Sequence, residues 1–417
     1  MDGLSLDEQC AVAAAVHHRR RLAVILWHLQ HRRRRNAKRK QQHFFSWAEY
    51  ESMLDERDFQ RCFRLTRAGF QELHDALRNQ LEVDSVAQAV RSRGYPIDSR
   101  VRLAVTLRYL AGGSYIDLRQ LYKISKTEVF HCVWKTVDAI NGYLKIVFPL
   151  DDPDKLAILE AEFAAHSRKQ VWRNQVACVD GADFKQKNPG VAVPNPLEHY
   201  VGRKGCYAIL CIATCDYARR FLSYDMNMGA RTHDSLAWKN SKVGGAVLRG
   251  ELGPNYFVNG DAAFGMVPGM MVPATGPGTD DFNFEQSSNR MPIECAFGIL
   301  VMRWGILWRP LCMRYDRRTN VIECCMKLHN FCIDRRIEID LKSNSGWTEI
   351  APGRWDRTPL FDRDGRPVEF KSGGDVGDVR GAVGDDRMRQ DLIRKIKDAG
   401  LRRPSRHARR TSRHERR

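Results

Sequence analysis

Three acids, Asp180, Asp261 and Glu294, have the types and spacing that could do chemistry. The first two close short apolar runs, QVACVD and YFVNGD, that read as strands, and the third stands at the start of an otherwise apolar helix, MPIECAFGILVMRWGIL. Strand ends are where ligand sites form in α/β sheets. Convergent carboxylates suit hard divalent cations, and two Mg²⁺ ions about 4 Å apart, or Mn²⁺ in their place, can activate an attacking oxygen and stabilise a leaving one. Phosphodiester chemistry is the natural use of such a set. Singly, each acid has a plainer reading as a cap, a turn residue or an ion pair. Glu294 in particular follows Arg290 by one helical turn, and a carboxylate in a first turn is favoured by the helix dipole.

The elements that must position these acids follow from periodicity. In the Glu294 helix, Ile293, Phe297, Leu300, Val301 and Trp304 fall on one face, and Pro292 predicts a helix start near Asn289 to Pro292. Strands are predicted at Gln175–Asp180, at Cys206–Asp216 and Arg219–Met228 joined by a turn at Asp216-Tyr217-Ala218, and at Tyr256–Asp261. A helix from Thr232 to about Leu248 precedes the last of these, and another from Arg318 to Arg336 carries Val321, Cys324, Cys325, Leu328 and Phe331. The order β, ββ, α, β, α, α describes an α/β region with a mixed sheet, with Gly265–Thr279 as a Gly/Pro-rich loop.

The preceding region is all-helical. Phe63, Phe70, Leu73 and Leu77 share a face with Thr66 as cap, and Val101, Val105, Leu107 and Leu110 lead to a stop at Gly112-Gly113. SYIDLRQLYKISKTEVFHCVWKTVDAI then reads as helix, turn at Lys123 to Ser125, and helix from Thr127 to Ile140. That is helix-turn-helix spacing. Lys126, Thr127, Glu128 and His131 could face a groove, while Val129, Val133, Trp134 and Val137 fit the core of a plain helical hairpin equally well. Residues 150–170 read as a polar linker helix. Past Lys342 periodicity fades, apart from a short helix near Arg389 to Lys397.

The chain has 417 residues, 43% of them hydrophobic, enough for sizeable cores. The longest apolar run near the N-terminus, Leu22–Trp27, is far short of the roughly 20 residues that span a bilayer, so neither a membrane span nor a secretory signal is expected. The net charge of +18 is concentrated at the ends. Residues 1–50 hold ten Lys/Arg against four Asp/Glu, and residues 401–417 hold eight against one. Basic arms on a near-neutral body suit a polyanion, with double-stranded DNA first in line. The run HRRRRNAKRK, which includes Arg32, Arg33, Arg34 and Arg35, resembles a nuclear-import signal or a phosphate-binding arm. Twelve cysteines occur without a single C-x-x-C, which argues against a zinc site and for reduced, buried thiols in an intracellular protein.

VDGADF, RKGCYAILCIATCD, MGARTHDSLAW, FVNGDAAF, NRMPIECAFGILVMRWGIL and CCMKLHNFCI resemble, in this order, the motifs of PIF/Harbinger-type DDE transposases across residues 60–336. The resemblance implies an RNase H-like catalytic core in which Asp180, Asp261 and Glu294 occupy the DDE positions and hold the metal. It implies cutting of DNA at transposon ends and joining to a target and a Myb-like DNA-binding partner protein; a nuclear location is expected, and a homo-oligomer is one arrangement left open. Arg203, Lys204, His233, Asp234 and Arg290 match recurring positions near the active site or the DNA, and Lys126 joins the DNA-contact candidates. The expected organisation is a basic arm (1–50), a helical region (51–150), a nuclease core (170–340) and a mostly disordered basic tail (341–417). Two features depart from the family pattern: Ala262-Ala263-Phe264 after Asp261, and an extra acid, Asp183. Strand alternation puts Asp183 on the face opposite Asp180, as a surface group or a neighbour of the ligands, and it is the main competitor to Asp180 for the first acid position. The rivals are a non-cleaving, DNA-binding or chromatin-associated descendant of such a transposase and, last, a hydrolase of small phosphate esters.

Overall fold

The computed structural model describes residues 45–82, 97–338, 347–351, 354–357 and 386–404. The chain divides into two compact units, Met1–Tyr50 and Glu51–Arg417, and the second holds everything that follows except the start of the first helix. The basic run at 31–40, with Arg32 to Arg35, lies outside the described residues.

After a short helix α1 (Trp47–Ser52), the helical region contains α2 (Glu56–Phe63), α3 (Arg67–Leu81), α4 (Ser99–Leu110), α5 (Tyr115–Leu121), α6 (Lys126–Tyr143) and α7 (Pro153–His166). Most begin where a short polar side chain satisfies an otherwise orphaned amide. Thr66 Oγ1 accepts from the Gly69 amide at 3.1 Å, and Ser125 Oγ from that of Glu128 at 3.2 Å. Arg64 in the left-handed region, φ 64°, separates α2 from α3. Gly112, φ 105°, stops α4 as its position predicts. Helices α5 and α6 are joined by a short turn, with Val129, Val133 and Val137 buried and Lys126, Thr127 and His131 exposed. Residues 150–170 are more than a linker: Leu156, Leu159 and Phe163 of α7 are buried, and the first two join the core beneath the sheet.

That sheet contains β1 (Gln175–Gln186), β2 (Tyr200–Val201), β3 (Cys206–Cys215), β4 (Phe221–Asp225), β5 (Phe257–Asn259) and β6 (Met270–Met271). β1 pairs antiparallel with β3, whose other edge takes β2 and β4, both antiparallel; on its far side β1 pairs parallel with β5, and β5 with β6. The first half of β1 is continuously buried because helices cover both faces. Residues 178, 180 and 184 look toward helix α10 (Asp280–Arg303), while Val179 and Gly181 look toward α8 (Asp234–Asn240) and α9 (Lys242–Leu248). The helix expected from Thr232 to Leu248 is therefore two, broken at Ser241, whose side chain caps the second.

Two boundaries differ from the sequence reading. β1 does not end at Asp180 but continues to Gln186, held by β3 alone, since its parallel pairing with β5 stops at Cys178 opposite Asn259. The Glu294 helix starts at Asp280, not at 289–292, and passes through Pro292. Its buried stripe runs Phe282, Glu285, Gln286, Asn289, Pro292, Ile293, Ala296, Leu300 and Arg303, an unbroken helical period whose first half is mostly polar. Those polar groups are paired. Gln286 Nε2 donates to Asn259 Oδ1 and the Gly260 carbonyl, each at 2.7 Å; Asn259 Nδ2 donates to Gln175 Oε1 at 3.1 Å; and Gln175 Nε2 donates to the Asn289 carbonyl at 3.0 Å. Glu285 pairs with Arg168.

Helix α11 (Tyr315–Asp334) packs on α6 and α10 with Val321, Cys324, Cys325, Leu328 and Phe331 buried as expected. Residues 347–351 and 354–357 form a separate two-stranded ladder, β7 and β8. Helix α12 (Asp386–Asp398) contains the expected 389–397 segment, and its Leu392 and Ile396, with Leu401 beyond, pack on Trp172, Phe257 and Phe282.

Candidate active site

Asp180 stands two residues beyond the last β1–β5 pair, on the α10 side of the sheet. Asp261 lies just past the end of β5 and opens a 3₁₀ turn, Ala262–Phe264, by accepting the Ala263 amide at 2.9 Å. Glu294 lies midway along α10, one turn after Arg290. The Arg290 guanidinium ties these elements together: Nη1 donates to Asp180 Oδ2 at 3.3 Å and Nη2 donates to Glu294 Oε1. Its side chain is 14% exposed, against 22% for Asp180 and 44% for Glu294.

The charges feel one another. Burial pushes the Asp180 carboxyl up to about 6; Arg290 and the Gly181 amide oppose the rise, while Asp261 and Glu294 add to it. Burial also works against the Arg290 charge, but Glu294, Asp180 and Asp261 outweigh it and raise the guanidinium above its ordinary value. The structure thus brings Asp180, Asp261, Glu294 and Arg290 into one electrostatic group. Glu294 does pair with Arg290, as its plainer reading held, but the same arginine also reaches Asp180.

The other candidates lie outside this group, except that Asp234 feels the charge of Asp261. Lys204 Nζ lies 2.8 Å from Asp183 Oδ2, on the opposite face of β1. Asp183 is not a surface group, since its side chain is only 6% exposed. Lys126 sits at the start of α6 with its ammonium 4.9 Å from the centre of the Tyr115 ring. Asp234 begins α8, and burial, Asp261 and Asp183 raise its carboxyl while Arg203 and His233 lower it. A Cβ on Gly181 would come within 2.9 Å of Asp234 Oδ1, so only glycine lets this carboxylate lie against β1. The Asp-Gly pair after the apolar run was the visible signal; the partner that requires the glycine was not.

Two carboxylates paired with one guanidinium, and a third close enough for its charge to be felt, leave excess negative charge and a set of oxygen donors, which is the chemistry a hard divalent cation takes. As the side chains stand, no three His, Cys, Asp or Glu groups among the described residues close around a metal ion. Arg290 lies between Asp180 and Glu294 instead.

Residues 179–330 match the family model of DDE superfamily endonucleases. No curated protein and no solved structure matches the chain. The endonuclease span begins inside β1, one residue before Asp180, and ends inside α11. It therefore contains all three acids and Arg290, and it makes DNA the substrate class and nuclease or transposase chemistry the activity that the match supports. The endonuclease superfamily generally uses divalent metals. Helices α2 to α7 and α12 lie outside the matched span.

Proposed function

We propose that this chain is a transposase of PIF/Harbinger type that cuts DNA phosphodiester bonds at transposon ends and joins them to target DNA, with Asp180, Asp261 and Glu294 as the metal-holding acids. The observation that carries the reading is the meeting of these residues, 81 and 33 positions apart in sequence, around a single arginine inside the endonuclease span. The strand order supports an RNase H-like core: three antiparallel strands, then two parallel to the first, with the first acid on the central strand.

When bound, a pair of Mg²⁺ ions would supply an activated water and charge neutralisation on the scissile phosphate. The residues that would hold them are Asp180, Asp261 and Glu294. β1 and the turn after β5 fix two of them on the sheet, and the buried stripe of α10 fixes the third. Arg290 lies between two of these acids, while Lys204 and Arg203 lie near Asp183 and Asp234 toward the other face of β1, and all three are cations of the kind that meet phosphates. Helices α5 and α6 are a candidate DNA-reading pair with Lys126 at its exposed start, and a Myb-like protein would carry part of end recognition. The basic run at 31–40 would bind phosphates or direct nuclear import.

The test is Mg²⁺- or Mn²⁺-dependent nicking, in the presence of the partner, of DNA taken from the genomic sequence on either side of the gene and searched for terminal inverted repeats. Asp180→Asn, Asp261→Asn and Glu294→Gln should each lower nicking by at least 100-fold while leaving the melting temperature within a few degrees. A wild type inert under these conditions would remove the transposase reading in favour of a non-cleaving DNA-binding protein.

A further inference from the structure

We propose that Arg290 is a positioning residue that competes with a divalent cation for Asp180 and Glu294, so that a DNA phosphate must draw it off before the acids can take up metal. The inference rests on the carboxylate reading above and adds an order to it. Three observations carry it. The guanidinium bridges two acids that stand on different elements, β1 and α10, so it occupies the interval between two of the three proposed ligands. Among the described residues it has no hydrogen-bond partner besides these two carboxylates, so no further hydrogen bond fixes its direction. An arginine offers five N–H donors and only two are used here, which leaves donors for the oxygens of a phosphate. Beside it, Met291 is 42% exposed, so the edge of α10 next to Arg290 is open to an approaching ligand.

The exchange replaces one positive neighbour of the acids with another of higher charge. While Arg290 spans the pair, the three acids carry one positive neighbour. When a phosphate takes the guanidinium, the carboxylates lose that neighbour and their affinity for a divalent cation rises. Arg290 then sits on the substrate side of the same centre. Because it lies on α10, one turn before Glu294, the side chain can swing while the helix that holds Glu294 stays where it is. By linkage, DNA must strengthen metal binding and metal must strengthen DNA binding by the same factor.

Mn²⁺ binding to the full chain, read by the electron paramagnetic resonance of free Mn²⁺, tests this with and without a short duplex. For wild type, the duplex should tighten Mn²⁺ binding at least tenfold. Arg290→Gln should bind Mn²⁺ at least tenfold more tightly than wild type without DNA, and should lose most of the tightening by DNA. Arg290→Lys keeps the charge but replaces the two-nitrogen fork with a single ammonium that holds the pair less firmly, so it should also bind more tightly than wild type without DNA. Circular dichroism melting of each variant verifies folding. Two results overturn the proposal and are distinguishable. If Asp180→Asn abolishes Mn²⁺ binding while both Arg290 variants behave as wild type, the exchange alone is wrong. If Asp180→Asn leaves Mn²⁺ binding unchanged, the reading of the acids as ligands falls with it.

Discussion

At the scale of the residue, burial is a stronger influence on charge here than chain position. Asp180 and Asp216 are both carboxyls pushed up to about 6 by burial, one at the proposed centre and the other in the β3–β4 turn. His329 shows the reverse. Fully enclosed in α11, its Nε2 lies 2.8 Å from the Arg219 carbonyl, which fits a neutral ring donating from that nitrogen, and burial pulls its value from 6.5 down to about 3. Between those two values the unfolded chain binds a proton that the native protein does not, so this residue's contribution to stability is complete above pH 6.5 and is lost progressively as pH falls toward 3. The two raised carboxyls tilt the curve in the opposite sense, since the native state keeps their protons up to about pH 6. The informative measurement is therefore the difference between proteins: His329→Gln, which can still donate to the Arg219 carbonyl, should show a flatter loss of stability than wild type in urea titrations from pH 7 to pH 4. Parallel curves for the two proteins would mean that His329 is protonated in the fold.

At the scale of the element, α10 shows what periodicity can and cannot reveal. Its apolar second half was legible, with Ile293, Leu300 and Trp304 all buried as their spacing demands. The first half was not, because its inward face is Glu285, Gln286 and Asn289, residue types that ordinarily mark a solvated surface. Pro292 then looked like a beginning and not an interior residue. The acids themselves were legible from type and position, as were the caps at Thr66 and Ser125's place in the turn before α6. β2 and β6 were missed because two residues carry no alternation to read. Asp234 against Gly181 was missed because a contact between residues 53 positions apart has no local signature. Helix α12 adds a prediction at this level. Its Leu392 and Ile396 pack on Trp172, Phe257 and Phe282, and Arg402 and Arg403 pair with Asp281 and Asp280 at the start of α10. Leu392→Asp with Ile396→Asp should cost about 3 kcal/mol or more, given roughly 1.5–3 kcal/mol for burying each such side chain. Hydrogen exchange should quicken first in residues 280–286; unchanged protection there would show that α10 stands without this helix.

At the scale of the whole molecule, the helical region and the sheet region meet at a close backbone approach. A Cβ on Gly305, in the turn after α10, would lie 2.5 Å from the Ala111 carbonyl oxygen at the end of α4, and one on Gly112 would lie 3.3 Å from the Gly305 backbone. Two backbones in such contact leave no flexible group to give way. Gly305→Ala should therefore lower stability by about 1–3 kcal/mol, the usual cost of forcing extra atoms into a packed site, measured by the urea midpoint. A midpoint equal to wild type would show that the two loops separate freely. No helix among the described residues is long and apolar enough to cross a membrane.

The ring of buried amides formed by Gln175, Asn259, Gln286 and the Asn289 carbonyl also has a meaning for folding. Each hydrogen bond contributes only about 1 kcal/mol once made, but a buried amide lacking its partner costs roughly 1–3 kcal/mol. Since the ring draws on β1, β5 and α10 together, any two of these elements docked without the third would leave amides stranded. Partial assembly is thus penalised until the last piece arrives, and the three elements that hold the acids dock cooperatively, as one unit.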